Sequence, residues 1–153
     1  MREIKIDAPG AGAWIMERVD GVFRDHVDHS FSSHELDANG GGEILGGFAL
    51  TGYMGLAMSI HMAARSPRWF SRELAWVAFH YPFVQLGVRK LIAPVSSNNF
   101  HSAGLCRRAG WQEEARLRDL FQGADLILFT MTRDQCRWLD YASKRWRSNS
   151  EAA

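Results

Sequence analysis

Residues 44–64 form the longest stretch of the chain without Asp, Glu, Lys or Arg. At 21 residues this stretch is long enough to cross a bilayer as a helix. Its content argues otherwise. Gly46, Gly47, Gly52 and Gly55 interrupt it, Thr51, Ser59 and His61 add polar groups, and Thr51-Gly-Tyr-Met-Gly55 sits near its middle as a hairpin turn would. The pattern predicts two antiparallel strands, at 44–50 and 55–62, covered on both faces as at the centre of an α/β sheet.

The flanking patterns supply the cover. Residues 11–19 predict a short first helix that Asp20-Gly21 ends. From 24 to 42 the chain turns polar through Asp25, His26, Asp28, His29, His34, Glu35 and Asp37 to Gly40-Gly41-Gly42, which predicts a weak edge strand and a glycine loop. Ser66-Pro67 suits a helix start, because proline at the first helical position loses no needed donor. Phe70, Leu74, Val77, Tyr81 and Val84 then recur as one apolar helical stripe, which Pro82 should kink or end before Gly87. Residues 91–95 predict a strand. It contains Pro94, which suits a place where pairing opens better than a closed ladder. Ser97-Asn98-Asn99 offers caps for a helix over 100–109 that Gly110 closes. Strands at 111–118 and 125–131 bracket Gln122-Gly123 as a closing hairpin, and 133–145 predicts a last helix. No internal repeat or low-complexity linker interrupts the order.

Composition narrows the picture. A chain of 153 residues, 46% apolar and 23% charged, matches one domain over residues 1–153 with a substantial core. Eighteen Lys and Arg against 17 Asp and Glu leave a charge of +1, which argues against nucleic acid or an anionic membrane as the main partner. Cys106 and Cys136 are too few for a disulfide framework and have no ligand-like spacing, so reduced thiols in a cytoplasmic protein are expected. Residues 1–12 lack the apolar run of a signal peptide.

The most specific stretch is Asn99-Phe-His-Ser102-Ala-Gly-Leu105-Cys106-Arg-Arg108-Ala-Gly110-Trp111, followed by Glu114-Ala-Arg-Leu117-Arg118-Asp119. It fills every fixed place of the pattern N-x-x-[SA]-x-x-L-x-x-[KR]-x-G-[FW], and then follows E-G-x-L-R-D with Ala115 replacing Gly. With the strand, helix and hairpin signals around it, this resembles the later part of the GNAT N-acetyltransferases, in their ribosomal-protein-acetyltransferase-like branch. The resemblance covers residues 43–139 and leaves out the first forty. The ending Met131-Thr-Arg133-Asp-Gln-Cys136-Arg137-Trp138-Leu139 is similar to the tails of small GNAT-like proteins of phages and prophages.

The resemblance implies an α/β (α+β) fold: a mixed, mostly antiparallel central sheet, helices on both faces, and a splayed parallel strand pair forming a CoA cleft. It implies acetyl-CoA as co-substrate, no metal, and an amine that attacks the thioester carbonyl while the protein supplies position, an oxyanion donor and proton removal. The splayed strands would be 55–62 and 91–95, placing Pro94 on an edge with no partner. The cofactor-binding residues it implies are Met62 and Ala63 on the first of these strands, Arg65, Arg68, Trp69, Ser71 and Arg72 at the next helix start, and Asn99, Ser102 and Arg108 in the motif. The pyrophosphate would rest on backbone N–H groups at that helix start, where the dipole favours anions. Two departures stand out. The family loop [QR]-x-x-G-x-[GA] is replaced by Arg65-Ser-Pro-Arg68-Trp69-Phe-Ser71-Arg72, without glycine, so its arginines either add charge for phosphates or are simply solvated. The family Tyr that serves as general acid is replaced by Cys106, which is either a proton donor or a small buried hydrophobe.

His61, near the end of its strand, is the candidate base or water-orienting group, with a hydrogen-bonded structural histidine as the alternative. His101 is a lesser candidate. The segment with His26, His29 and His34 holds chemistry that suits Zn²⁺, and equally suits a polar loop flanking a substrate cleft. Trp14, Phe23 and Phe31 belong either to the acceptor site or to the core. The leading expectation is an acetyl-CoA-dependent N-acyltransferase acting on a primary amine of a small molecule, peptide N-terminus or lysine. Its alternative is a catalytically inactive GNAT-fold binding or assembly protein. A third reading takes the basic tail, Arg133, Arg137, Lys144, Arg145 and Arg147 with Trp138 and Trp146, as a nucleic-acid or assembly surface. Homodimerisation through the last hairpin or helix is compatible with the pattern, which does not fix it.

Overall fold

A computed structural model describes residues 1–141. One seven-stranded sheet runs in the order β1-β2-β3-β4-β5-β7-β6, with β1 at Arg2–Ile6, β2 at His29–Leu36, β3 at Gly42–Thr51, β4 at Ala57–Ala64, β5 at Lys90–Ser96, β6 at Gln112–Phe121 and β7 at Ala124–Thr132. Of these neighbouring pairs, β4 and β5 run parallel and every other is antiparallel. This is the expected mixed sheet. Helix α1, Ala11–Glu17, packs Ile15 and Met16 on Ala49 at one face. Helices α2, Arg72–His80, and α3, Phe100–Arg108, join the larger core with Phe48, Leu50, Ile60, Leu91 and Phe129.

The central hairpin, the closing hairpin and α3 follow the sequence pattern. Asn99 caps α3 by accepting the Ser102 N–H at 3.1 Å, and Gly110 follows the helix with φ of 93°. Gly123 makes the β6–β7 turn with φ of 73°.

Three expectations are corrected. The polar segment is not an edge strand: β2 is internal, and β1 pairs along its outer side. Its residues look exposed because they are Ser and His, yet Ser30, Ser32, Ser33 and His34 are buried. The long helix from Ser66 is three pieces, a 3-10 turn at Pro67–Trp69, α2, and a π-helical turn at Tyr81–Gln85. Ser66 and Ser71 each cap their own turn, accepting from Arg68 N–H at 3.2 Å and Leu74 N–H at 3.1 Å, which splits the stripe. Phe70 and Val84 consequently lie at the surface, and Leu74, Ala75, Ala78, Phe79 and Phe83 form the buried face. Pro82 widens the helix instead of ending it: Leu86 N–H reaches back to the Tyr81 carbonyl at 2.9 Å. Finally, no helix starts at 133. Arg133–Gln135 is a 3-10 turn, and Cys136 is extended. The helix begins later, with residues 139–141 helical, and the remainder of the expected last helix from 142 on, with Lys144, Arg145, Trp146 and Arg147, lies outside the described residues.

Close backbone approach explains one glycine directly. A Cβ on Gly47 would lie 2.5 Å from the Phe31 carbonyl oxygen and 2.9 Å from Ser32 Cα, both across the β2–β3 ladder. Gly47→Ala therefore has to push β2 and β3 apart and should cost about 1–3 kcal/mol in urea unfolding. Gly104→Ala, inside α3 and facing only the flexible Arg108 guanidinium, should instead stabilise by about 0.5–1 kcal/mol. Equal effects at the two positions would contradict the packing account.

Candidate active site

The site begins where β4 and β5 separate. Pairing between them is confined to Ala57, Met58 and Ser59 against Lys90, Leu91 and Ile92. Both strands nevertheless continue, β4 to Ala64 along β3 and β5 to Ser96 along β7. Each is held straight by its outer neighbour while the facing edges separate, leaving peptide groups without a ladder partner. Pro94 lies in the separated stretch, opposite Leu128 of β7. Its missing N–H costs no β4 bond there.

His61 sits on β4 two residues beyond the last β5 pair. It shares the α1 face with its register partner Ala49, and its Nε2 lies 3.1 Å from Thr51 Oγ1. Burial lowers the imidazole pKa below the usual 6.5, opposed by the nearby Asp28 carboxylate. The ring is thus neutral near pH 7, as a base requires. When Nε2 donates to Thr51, Nδ1 is the nitrogen left to accept a proton. His34, lowered by burial and by Lys5, and His80, lowered by burial and by Arg133, share the same direction. For each, the unfolded chain binds the proton more readily than the folded one. Their contribution is therefore complete above pH 6.5 and is lost as pH falls from 6.5 through the depressed folded values. Urea midpoints should fall over that window, less steeply in His61→Gln; an unchanged slope would contradict the assignment.

The end of β4 and the segment after it carry most of the cofactor-binding candidates. Met62 and Ala63 are half-buried, packing against the main core and the α1 cluster respectively. Arg65 pairs with Glu43 at 3.1 Å and Arg68 with Glu35 at 3.3 Å, both on the surface. Arg2 donates to the Arg68 carbonyl, and Trp69 packs tilted against Phe48 with ring centroids 5.1 Å apart. Ser71 caps α2. Arg72 is exposed with no ion pair or hydrogen bond among the described residues, while Glu73 also stands in the first turn of α2.

The motif residues divide. Asn99 and Ser102 form the α3 cap, and the Arg108 carbonyl accepts from Arg137 at 3.1 Å. Cys106 points into the main core at 2% exposure, where burial pushes its thiol up to about 11. The three histidines do not converge: His34 Nε2 lies 2.8 Å from Ser32 Oγ, His29 lies between Asp7 at 2.9 Å and Tyr81 at 3.0 Å, and His26 is in a loop. Among the described residues no group of three His, Cys, Asp or Glu side chains could hold a metal ion. Phe31 belongs to the main core, and Trp14 and Phe23 pack on the α1 cluster.

Beside β2 opens a cavity of about 450 Å³, lined by Asp7, Phe23, Asp25, His26, Asp28 and Ser30 among others. Sequence reasoning missed Asp7 and Tyr81, because their partner His29 lies far away in the chain, and Thr51, because only the β3–β4 register brings it to His61. Among the described residues no helix is long and apolar enough to cross a membrane.

No family model and no curated protein sequence matches the chain. Solved structures do match its fold. The spermidine/spermine N-acetyltransferase SpeG from Vibrio cholerae, in mutant forms, superposes with a TM-score of 0.65 at 16% identity, over 92% of this chain and 99% of that one. A dodecameric structure of spermidine N-acetyltransferase from Vibrio cholerae gives 0.62 at 16% identity, over 86% and 94%. A GNAT-family acetyltransferase from Bacillus anthracis gives 0.53 at 16%, over 69% and 66%. At these identities the likeness is one of fold.

Proposed function

We propose that the protein is an acetyl-CoA-dependent N-acyltransferase that acetylates a primary amine, working in the cytoplasm with reduced thiols. The observation that carries this reading is the separation of β4 from β5 immediately before His61. The fold it shares with several N-acetyltransferases supports it. Its placement in the ribosomal-protein-acetyltransferase-like branch, and its likeness to phage and prophage members, rest on the Asn99-to-Asp119 and Met131-to-Leu139 motifs alone.

The donor group fits the open strand edge, since the Met62 backbone N–H and C=O face the β5 side beyond the last β4–β5 pair and are available to an amide-bearing arm, while those of Ala63 face β3. Arg72 is available to phosphates, and Arg65 and Arg68 can exchange their exposed pairs at a cost of about 1 kcal/mol or less each. When bound, acetyl-CoA supplies the thioester carbonyl that the amine attacks. His61 removes the proton that the attacking amine must lose, and Thr51 orients the ring. Cys106 is read as a packing residue, so the leaving thiolate takes its proton from water. Its burial accounts for this, because a shielded thiol at about 11 is a poor donor.

Titration of the protein with acetyl-CoA by calorimetry tests the reading, with saturable heat weakened in Arg72→Ala as the expected result. A non-catalytic binding protein of the same fold is the second reading, favoured by the glycine-free turn and by Glu73 at the start of α2. Saturable binding without acceptor-dependent thiol release would select it.

A further inference from the structure

The sheet carries an apolar surface that proton removal at His61 does not use. Leu91, Ala93, Ile127 and Phe129 belong to the main core with α2 and α3. Alternation along β5 and β7 therefore turns Ile92, Pro94, Leu126 and Leu128 to the opposite face, the one that α1 covers over β2, β3 and β4. Beyond α1 that face stays open. Ile92, Pro94, Leu126 and Leu128 are half-buried, and Ala115 and Leu117, the β6 partners of Leu128 and Leu126, are exposed. Cys136, Trp138 and Leu139, near the end of the described residues, pack with the main core instead.

This wall starts at the reacting centre. Ser59 pairs with Ile92 in the last β4–β5 row, so His61 and Pro94, two residues on, flank the separation on the same face. Pro94, Leu128 and Ala115 continue that row across β5, β7 and β6, and Ser96, Leu126 and Leu117 form the next. Neither row contains a charged residue. Lys90, two residues before Ile92, is already paired with Glu114 at 2.6 Å. Three strands about 4.8 Å apart and two rows about 7 Å apart span roughly 200 Å², far below the about 800 Å² per partner that a stable dimer buries. A wall of that size matches a small apolar group and is too small to hold a second copy of the chain.

We propose, resting on the acyl-transfer reading, that this wall seats the substituent of the acceptor, and that the acceptor is a primary amine carrying an uncharged, apolar group. The amine lies at His61 while its carbon chain lies over Pro94 and Leu128. Contact with the wall removes apolar surface from water. A charge at the far end of the same chain would lose water there and meet no counter-charge. Leu128 and Pro94 therefore set which amines are accepted, a choice that His61 cannot make.

The test compares hexylamine with 1,6-diaminohexane, equal in length but charged at the far end, by calorimetry on the full chain and then by thiol release from acetyl-CoA. Hexylamine should bind at least about tenfold more tightly and show the larger kcat/KM, as expected when several methylenes leave water. Leu128→Glu should abolish or reverse that preference by giving the second ammonium a partner. Ala115→Glu, at an exposed place in the same row, should narrow it and serves where Leu128→Glu does not fold. Equal binding of the two amines, or a preference that these variants leave intact, would overturn the wall. A dimer in sedimentation that either variant dissociates would assign the wall to a second copy and overturn it as well. Hexylamine preference in binding without thiol release would overturn the transfer reading alone.

Discussion

His61→Ala should lower kcat/KM for the amine by about 10²- to 10⁴-fold, the span of a lost general base. His61→Gln should fall as far, because its amide can still meet Thr51 but cannot take a proton. The wild-type acid limb should lie below pH 6.5, since burial lowers the imidazole pKa. Both variants should lose that limb. The pH profile separates a base from a residue that only shapes the strand: a uniform drop with the limb retained would assign proton removal elsewhere. Thr51→Val, which removes the 3.1 Å partner, should reduce the rate less than either His61 variant while keeping the limb.

Phe48→Ala should be the most damaging core substitution for function as well as for stability. Phe48 is 2% exposed on β3, and its ring meets Trp69 of the 3-10 turn at 5.1 Å and Phe79 of α2 at 5.8 Å. Truncation removes the aromatic bridge between the central sheet and the turn that holds Arg68 and lies between Arg65 and Arg72. A cost of about 3–5 kcal/mol is expected from lost transfer energy and cavity. This is a large share of the roughly 5–15 kcal/mol that holds such a domain. Acetyl-CoA affinity should fall too, because the turn loses its anchor on the sheet. Leu117→Ala on the exposed β6 should change stability by no more than about 0.5 kcal/mol. Comparable losses at both positions in urea unfolding would contradict this distribution of the core.

Where local signals act alone, sequence and structure agree. The apolar run broken by Thr51-Gly-Tyr-Met-Gly55 becomes β3 and β4, Asn99 caps α3, and Gly123 turns the last hairpin. Pro94 is the residue whose oddity in a strand points to the separation of β5 from β4. The pattern fails where tertiary contacts decide. The polar run from 24 to 42 reads as a weak edge strand, yet β2 is internal, with Ser30, Ser32 and Ser33 buried between β1 and β3. Five half-polar residues at Arg2–Ile6 carry no strand signal until β2 offers them a ladder. Two serine caps close together, Ser66 and Ser71, divide into a turn and a helix what the apolar stripe reads as one helix. In the site, His61 stands out as a polar residue on an apolar strand. Thr51 and Tyr81 gain their meaning only from partners the fold brings to them, and the arginines after β4 gain theirs from Glu35 and Glu43.

The most direct test of the central claim is continuous measurement of free thiol released from acetyl-CoA, with a panel of primary amines varied as the acceptor. Release that saturates in both substrates, disappears without amine and drops in His61→Ala is the result expected of an N-acyltransferase built around the separated strands. Release no faster than in buffer with any primary amine, together with no heat of acetyl-CoA binding at millimolar concentration, would contradict it and leave a protein that uses this fold only to bind.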